Sequence, residues 1–458
     1  MSGGSNIEAL DGEARGTNRP GACSPIPRVS DLHGEWSGHD YWLLSLEGHE
    51  PFIFFAPTLR MALRLNRAAF DAIGGATIPS SVEARLSAAL PKAATPAAPP
   101  PTAFHLGIGL TRNCTLACLY CHAEADKSRQ ADWNILRSAF EHAMTAAAKT
   151  PRRTLSVSFA VGGEPTMPWD LFTRAVNELR RLVSECGSGV ERLLLSMTTN
   201  GYYGPERRRF VAERFHHVTV SLDGDQAIQD LHRPNRGHGG SYAVVRETIK
   251  HFLTVPTLRM GIRGTVSAES VERLPEIVQH FAREFGPGLV VAFEPLVPLG
   301  RALNSVSLHP PDVAVFTEKF RQARAVGAAL GVRVTSSAPS VRRLIARYCG
   351  AMSIPSFTVC VDGQITACHR DQEGTDYGYA AIDPESGEIR FDGDRLARVA
   401  GENAVPETCR TCFARWHCAG DCPDLRRIGW SRCDFNRTLL HDEIVALLSR
   451  EKGDENHA

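Results

Sequence analysis

The stretch Phe104-His105-Leu106-Gly107-Ile108-Gly109-Leu110-Thr111-Arg112-Asn113-Cys114-Thr115-Leu116-Ala117-Cys118-Leu119-Tyr120-Cys121-His122 decides how the rest of the chain is read. Its first part, Phe104–Leu110, has the pattern of a β-strand, and the loop behind it carries three cysteines spaced C-x3-C-x2-C. Three thiolates within eight residues suit one [4Fe–4S] cube, because thiolates are the usual protein ligands of such clusters. Three ligands for four irons leave one iron without a protein donor, by the logic that separates open catalytic metal sites from closed structural ones. A zinc knuckle with His122 as fourth ligand, or three unrelated thiols, are the competing readings of the spacing taken alone.

Outward from that loop, strands and helices alternate as far as about Pro298. The expected strands are Phe104–Leu110, Thr154–Val161, Arg192–Thr199, His217–Leu222, Arg259–Val266 and Leu289–Pro295. Between them, Trp169–Cys186 places Phe172, Ala175, Val176, Leu179, Leu182 and Val183 at helical spacing. About six β/α repeats predict a parallel sheet with right-handed crossovers. The fold class is therefore α/β, with a partial (β/α)6 barrel whose chemistry sits at the C-terminal ends of its strands.

The flanks divide the chain further. Residues 1–33 read as a mobile tail rich in Gly, Ser, Pro and Asn. A small α+β unit over 34–92 comes next, with strands at Tyr41–Leu44 and Pro51–Phe55 separated by Glu47-Gly48, and a helix over Asn66–Ile73. A Pro/Ala linker spans 93–102, the barrel 103–305, a helical connector 306–344, a cysteine-rich domain 345–436, and a C-terminal helix and tail 437–458. Lys plus Arg and Asp plus Glu are both 51, which excludes a nucleic-acid or membrane-surface binder driven by excess basic charge. No apolar run is long enough to span a bilayer, and the N-terminus lacks a secretory h-region, so a cytoplasmic location is expected.

Thirteen cysteines in such a chain call for metal rather than disulfides. Besides the first three, they fall at Cys349, Cys360, Cys368, Cys409, Cys412, Cys418, Cys422 and Cys433, with Cys23 and Cys186 left as ordinary thiols. A pair of zinc ribbons is the other reading of the C-terminal run.

Together with the motifs downstream of it, the first cysteine loop resembles the signature of the radical S-adenosylmethionine (SAM) enzymes. Gly162-Gly163-Glu164-Pro165 is similar to that family's GGEP, Thr198-Thr199-Asn200-Gly201 resembles its TNG, and Ser221-Leu222-Asp223-Gly224 precedes His232-Arg233-Pro234. The resemblance implies that SAM binds the open iron and is reductively split to a 5′-deoxyadenosyl radical that abstracts hydrogen. It implies Tyr120 at the adenine side, Gly163 and Glu164 near the ammonium, and Ser221 and Arg233 on the ribose or carboxylate. Backbone contacts are expected around Glu294-Pro295-Leu296-Val297.

The C-terminal cysteines are similar to the SPASM extension of peptide- and protein-modifying members, which implies two auxiliary [4Fe–4S] clusters and three in all. By that analogy Cys349, Cys368 and Cys422 hold one, and Cys409, Cys412, Cys418 and Cys433 the other. Two closed clusters need eight ligands and the motif supplies seven, so Cys360 is either the eighth or a buried strand thiol.

The expected function is a maturase that installs a thioether or carbon–carbon cross-link in a ribosomally made peptide. Its partners would be that precursor peptide or protein and an electron donor such as flavodoxin or ferredoxin, with no nucleic acid and no membrane. Sulfatase maturation is the alternative. Against it, His369 stands where those enzymes carry an acidic base, leaving His369 and Asp371 as weak candidates. A non-catalytic iron–sulfur scaffold or electron carrier is the alternative from another class. The unit over 34–92 resembles the peptide-recognition domains of these maturases, which bind a leader as an added strand.

Overall fold

A computed structural model describes residues 29–454 apart from 95, 97–100, 124–128, 186, 188 and 355. Cys23, Cys186 and half of the expected linker lie outside the described residues.

The N-terminal unit is an antiparallel meander of β1 (Val29–Trp36), β2 (His39–Leu46), β3 (His49–Ala56) and β4 (Met61–Leu65). Two hairpins shape it. Ser37-Gly38 and Glu47-Gly48 both have positive φ at both positions, the conformation that matches a two-residue loop to strand twist. Strand β1 begins inside the stretch read as a mobile tail, a correction of that boundary. VSDLHGEW lacks a clean apolar alternation because it is an edge strand, and so gave no strand signal. Strands β2 and β3 read as unbroken apolar runs because both faces of the sheet are covered. One face buries Leu43, Phe52 and Phe54 against helices Arg67–Gly74 and Ser80–Ala89. The other buries Trp42, Leu44, Ile53 and Phe55 against Phe413, Leu440 and Ile444 of the C-terminal region.

The parallel core comprises β5 (Ala103–Gly109), β6 (Thr154–Val161), β7 (Arg192–Thr199), β8 (His217–Ser221), β9 (Arg259–Val266) and β10 (Val290–Pro295). These match the six expected strands to within a residue or so at each end. Helices Trp133–Ala148, Trp169–Ser184, Pro205–Arg214, Tyr242–Leu253 and Leu274–Phe285 complete the crossovers. Leu155, Val157, Phe159, Val218, Val220, Ile262 and Val266 belong to the apolar core that the strands share with these helices. The alternate positions Ser156, Ser158, Ser196, Thr198, Thr219, Ser221, Arg263 and Thr265 face the lumen, by the period of two along a strand. These are small polar residues for the most part, not the branched apolar ones that fill a closed barrel.

The sheet continues beyond the six. Strand β11 (Arg333–Thr335) lies parallel to β10, after the connector helix Val313–Ala329. On the other side β12 (Phe357–Val359) pairs in parallel with β5, and β13 (Gln364–Thr366), β14 (Gly378–Ile382) and β15 (Ile389–Phe391) are added antiparallel. One eleven-stranded sheet therefore carries both the barrel and part of the cysteine-rich region. The final helix runs from Cys433 to Asp454, starting four residues before the expected boundary at 437. Among the described residues no helix is long and apolar enough to cross a membrane.

Candidate active site

The three-cysteine loop leaves the C-terminal end of β5 and is clamped from two sides. On one side, Gly163 N donates to Thr111 O at 2.7 Å and Glu164 N to Asn113 O at 2.9 Å. A Cβ on Gly163 would lie 1.8 Å from Asn113 O, so only glycine allows this approach. On the other, Ala117 N donates to Pro234 O and Leu119 N to His232 O, while Arg236 Nε reaches Cys114 O at 2.6 Å. Gly300, after β10, closes the far end: a Cβ there would meet Cys121 O and His122 Cα at 2.6 Å.

Within this frame Cys114, Cys118 and Cys121 are electrostatic neighbours. Asn200 Nδ2 lies 3.4 Å from Cys114 Sγ, and Arg233 Nη1 lies 4.0 Å from Cys118 Sγ. Burial, aided by Glu164, pushes the Cys114 thiol up to about 11, and burial pushes Cys118 up to about 12 despite Arg233. Such thiols become thiolates on binding a metal, with release of protons. The donor set fits an open iron–sulfur cluster: three thiols on one loop, with N–H donors beside two of the sulfurs. The charged neighbours of the His122 ring are His369, Arg370, Arg263 and Asp424.

The residues expected around SAM are organised by a carboxylate, Asp223, to which the sequence alone assigns no role. Asp223, 1% exposed, accepts from Tyr120 OH at 2.5 Å, Arg233 Nε at 3.1 Å and Thr265 N at 2.9 Å, and meets His232 Nδ1 at 3.1 Å. Burial opposes its ionisation, but Arg233 and His232 hold the carboxyl well below the usual range. Arg233 also lies over the Tyr120 ring, 5.1 Å from its centroid. Ser221 ends β8 beside this network, 9% exposed. Glu164 is buried and accepts from Thr166 Oγ1, Thr199 Oγ1 and Asn200 N at 2.8–2.9 Å. It thus joins the ends of β6 and β7; burial raises its pKa, with these hydrogen bonds opposing. Glu294 turns the other way and ion-pairs with Arg432 at 3.0 Å, anchoring the cysteine-rich region to β10.

The C-terminal thiols form two groups. Cys349 and Cys368 each neighbour Cys422, and Cys409 and Cys418 each neighbour Cys412 and Cys433. Arg437 Nη1 donates to Cys412 Sγ and Asn436 Nδ2 to Cys418 Sγ, both at 3.5 Å. Cys360 stands apart from both groups. It is fully buried in the turn after β12, its thiol 3.6 Å from Asp371 O, with Asp362, Asp371, Arg112 and Glu373 as charged neighbours. The β12–β13 register puts Cys360 at the turn and Cys368 at the open end of that hairpin.

Between the first cysteine loop and this extension lies an open cleft lined by His122, Gly300, Arg370, Asp371, Asp424 and Arg427. His369 is solvent-exposed yet densely surrounded; burial, then Arg370 and Arg263, lower its pKa to about 4. Asp371 is turned inward, its carboxylate accepting from Tyr377 N at 2.6 Å, Thr375 N at 3.0 Å and Thr366 Oγ1 at 3.3 Å.

Residues 108–276 match the model of the radical SAM superfamily. The serine-type anaerobic sulfatase-maturating enzyme of Klebsiella pneumoniae is 22% identical over 373 residues, 78% of this chain and 91% of that protein. Among solved structures, anSMEcpe with bound AdoMet aligns at TM-score 0.57 and 18% identity, over 78% of this chain and 96% of that one. The same protein with AdoMet and a Cp18Cys peptide aligns at 0.56 and 16%, over 78% and 100%. At such identities the likeness to these structures is one of fold.

Proposed function

We propose that this radical SAM enzyme is a maturase that removes hydrogen from a peptide or protein and closes a thioether or carbon–carbon cross-link. The observation that carries the reading is the placement of the three-thiol loop. It stands at the C-terminal ends of strands whose inner face is polar, across a cleft from a second cysteine-bearing region. Held by these thiols, a [4Fe–4S] cluster with SAM would supply the reducing electron and the radical chemistry that removes hydrogen from the substrate.

The chain's own residues do the rest. Cys114, Cys118 and Cys121 hold the cluster, and Asn200 and Arg233 direct N–H groups at two of its sulfurs. Tyr120 and Arg233, fixed by Asp223, position the cofactor with Ser221, while Gly163 and Glu164 keep the loop and strand ends in register around its amino-acid end. In a cross-linking reaction the substrate loses one hydrogen atom, then one proton and one electron as the second bond closes. The C-terminal thiol groups provide sites for two further clusters that accept this electron, with a flavodoxin or ferredoxin as external reductant. The three-thiol group, Cys349, Cys368 and Cys422, leaves one position open. The N-terminal sheet, docked on the Cys409–Cys418 segment, is the candidate leader-binding surface.

Formylglycine formation is the second reading, favoured by the long alignment with the sulfatase maturase. The position after Cys368 weighs against it, since His369 stands there and the nearby Asp371 carboxylate is already taken up by three donors. Anaerobic co-expression with the short reading frame next to the gene, followed by mass spectrometry, tests the choice. A loss of two hydrogens without a hydrazide-reactive aldehyde supports the cross-link. An aldehyde on Ser or Cys supports formylglycine.

A further inference from the structure

We propose that Arg263 receives a carboxylate of the substrate inside the barrel lumen, so that the substrate is an acidic one near its reacting residue. The inference rests on the reading of the protein as a radical SAM enzyme that acts on a peptide or protein. Arg263 is exposed in the middle of β9, between the buried Ile262 and Gly264. Parallel register sets it level with Ser221 on β8 and Ala292 on β10. Ile262 and Val266 pack in the outer core, so strand alternation turns Arg263 into the lumen. Its guanidinium acts on the rings of His122, next to Cys121, and His369, next to Cys368.

Among the described residues no carboxylate pairs with it, unlike the other cations around the site. Arg233 pairs with Asp223 at 3.1 Å, Arg370 with Asp424 at 3.2 Å and Arg427 with Asp376 at 3.0 Å. An unpaired guanidinium costs little while water fills the lumen. Once a substrate expels that water, the local dielectric falls and the charge becomes costly unless an anion arrives with the ligand. The planar fork of Arg matches a carboxylate with two parallel hydrogen bonds. The carboxylate of SAM is another source of the same chemistry. However, the Tyr120–Asp223 network already carries a guanidinium, Arg233, beside Cys118. Arg263 stands apart from that network, level with Ser221 and Ala292 in the sheet.

The test uses anaerobic holoenzyme loaded with SAM, dialysed to equilibrium against radiolabelled N-acetylglutamate α-amide and, separately, its neutral counterpart N-acetylglutamine α-amide. SAM affinity is read in parallel from the change in the cluster's EPR signal. The acidic probe should bind about tenfold more tightly than the neutral one. Arg263→Gln should abolish that preference, Arg263→Lys should keep part of it, and both should bind SAM within about twofold of wild type. Equal binding of both probes by wild type overturns the proposal, a result that does not depend on any variant assembling its cluster. So does an Arg263→Gln protein that loses SAM while keeping the preference, because the guanidinium then serves the cofactor. Formation of 5′-deoxyadenosine by the same wild-type samples is recorded separately, and its absence overturns the functional reading instead.

Discussion

At the scale of single residues, Asp223 and Gly163 do most to hold the site. Asp223 is the shared acceptor of Tyr120 and Arg233 and meets His232, so Asp223→Asn leaves a buried guanidinium without its counter-charge. Loss of about 3 kcal/mol in denaturant unfolding is expected, with SAM cleavage reduced at least about tenfold while iron content stays unchanged. The pH dependence has a definite sign. The folded-state pKa of Asp223 is depressed below the value of about 3.9 for an unfolded Asp. The stability it contributes is therefore complete above that value and is lost as pH falls through the folded one. The gap between wild type and Asp223→Asn should be constant from about pH 5 to 8 and narrow from about pH 4 downward. Gly163→Ala acts sterically, since its new methyl would stand 1.8 Å from Asn113 O and displace the cysteine loop. It should lower iron incorporation at the first site, measured by visible absorbance after reconstitution, and cost about 3 kcal/mol. The sequence exposed the cysteines through their spacing, but not the role of Asp223. A carboxylate that binds through tertiary contacts on three different segments has no local pattern to read. Arg263 was legible in principle as a charged residue breaking an apolar strand, although only the register shows which side it faces.

At the scale of elements, the six barrel strands were legible because their outer faces are uniformly apolar and their helices amphipathic. Strands β1 and β11 were not. The first is a half-exposed edge, and the second is three residues long, shorter than any periodicity can mark. The β12–β13 hairpin bears on a choice that spacing left open. Cys360 and Cys368 are eight residues apart in sequence, yet the turn places them at opposite ends of the hairpin. Cys360→Ser should therefore leave the iron bound per chain unchanged by colorimetric assay, whereas Cys422→Ala should lower it. A fall in iron with Cys360→Ser would return that thiol to the ligand set.

At the scale of the whole molecule, the two cysteine regions, far apart in sequence, meet across one cleft because β12 extends the barrel sheet from the β5 edge. The N-terminal sheet is fastened to the same assembly by Trp42 Nε1, which donates to Thr411 O at 2.7 Å, and by the Asp31–Arg437 pair at 2.8 Å. Composition could say nothing of this arrangement, since it depends on which sheet edges and faces find each other. Its functional sense depends on chemistry at the three-thiol loop. The direct measurement is 5′-deoxyadenosine formation by anaerobic protein reconstituted with iron and sulfide, given SAM and dithionite. Wild type should form it, and the Cys114→Ala, Cys118→Ala, Cys121→Ala triple variant should form none while keeping the iron of its C-terminal groups. Zinc in place of iron, or equal product from both proteins, would contradict the account.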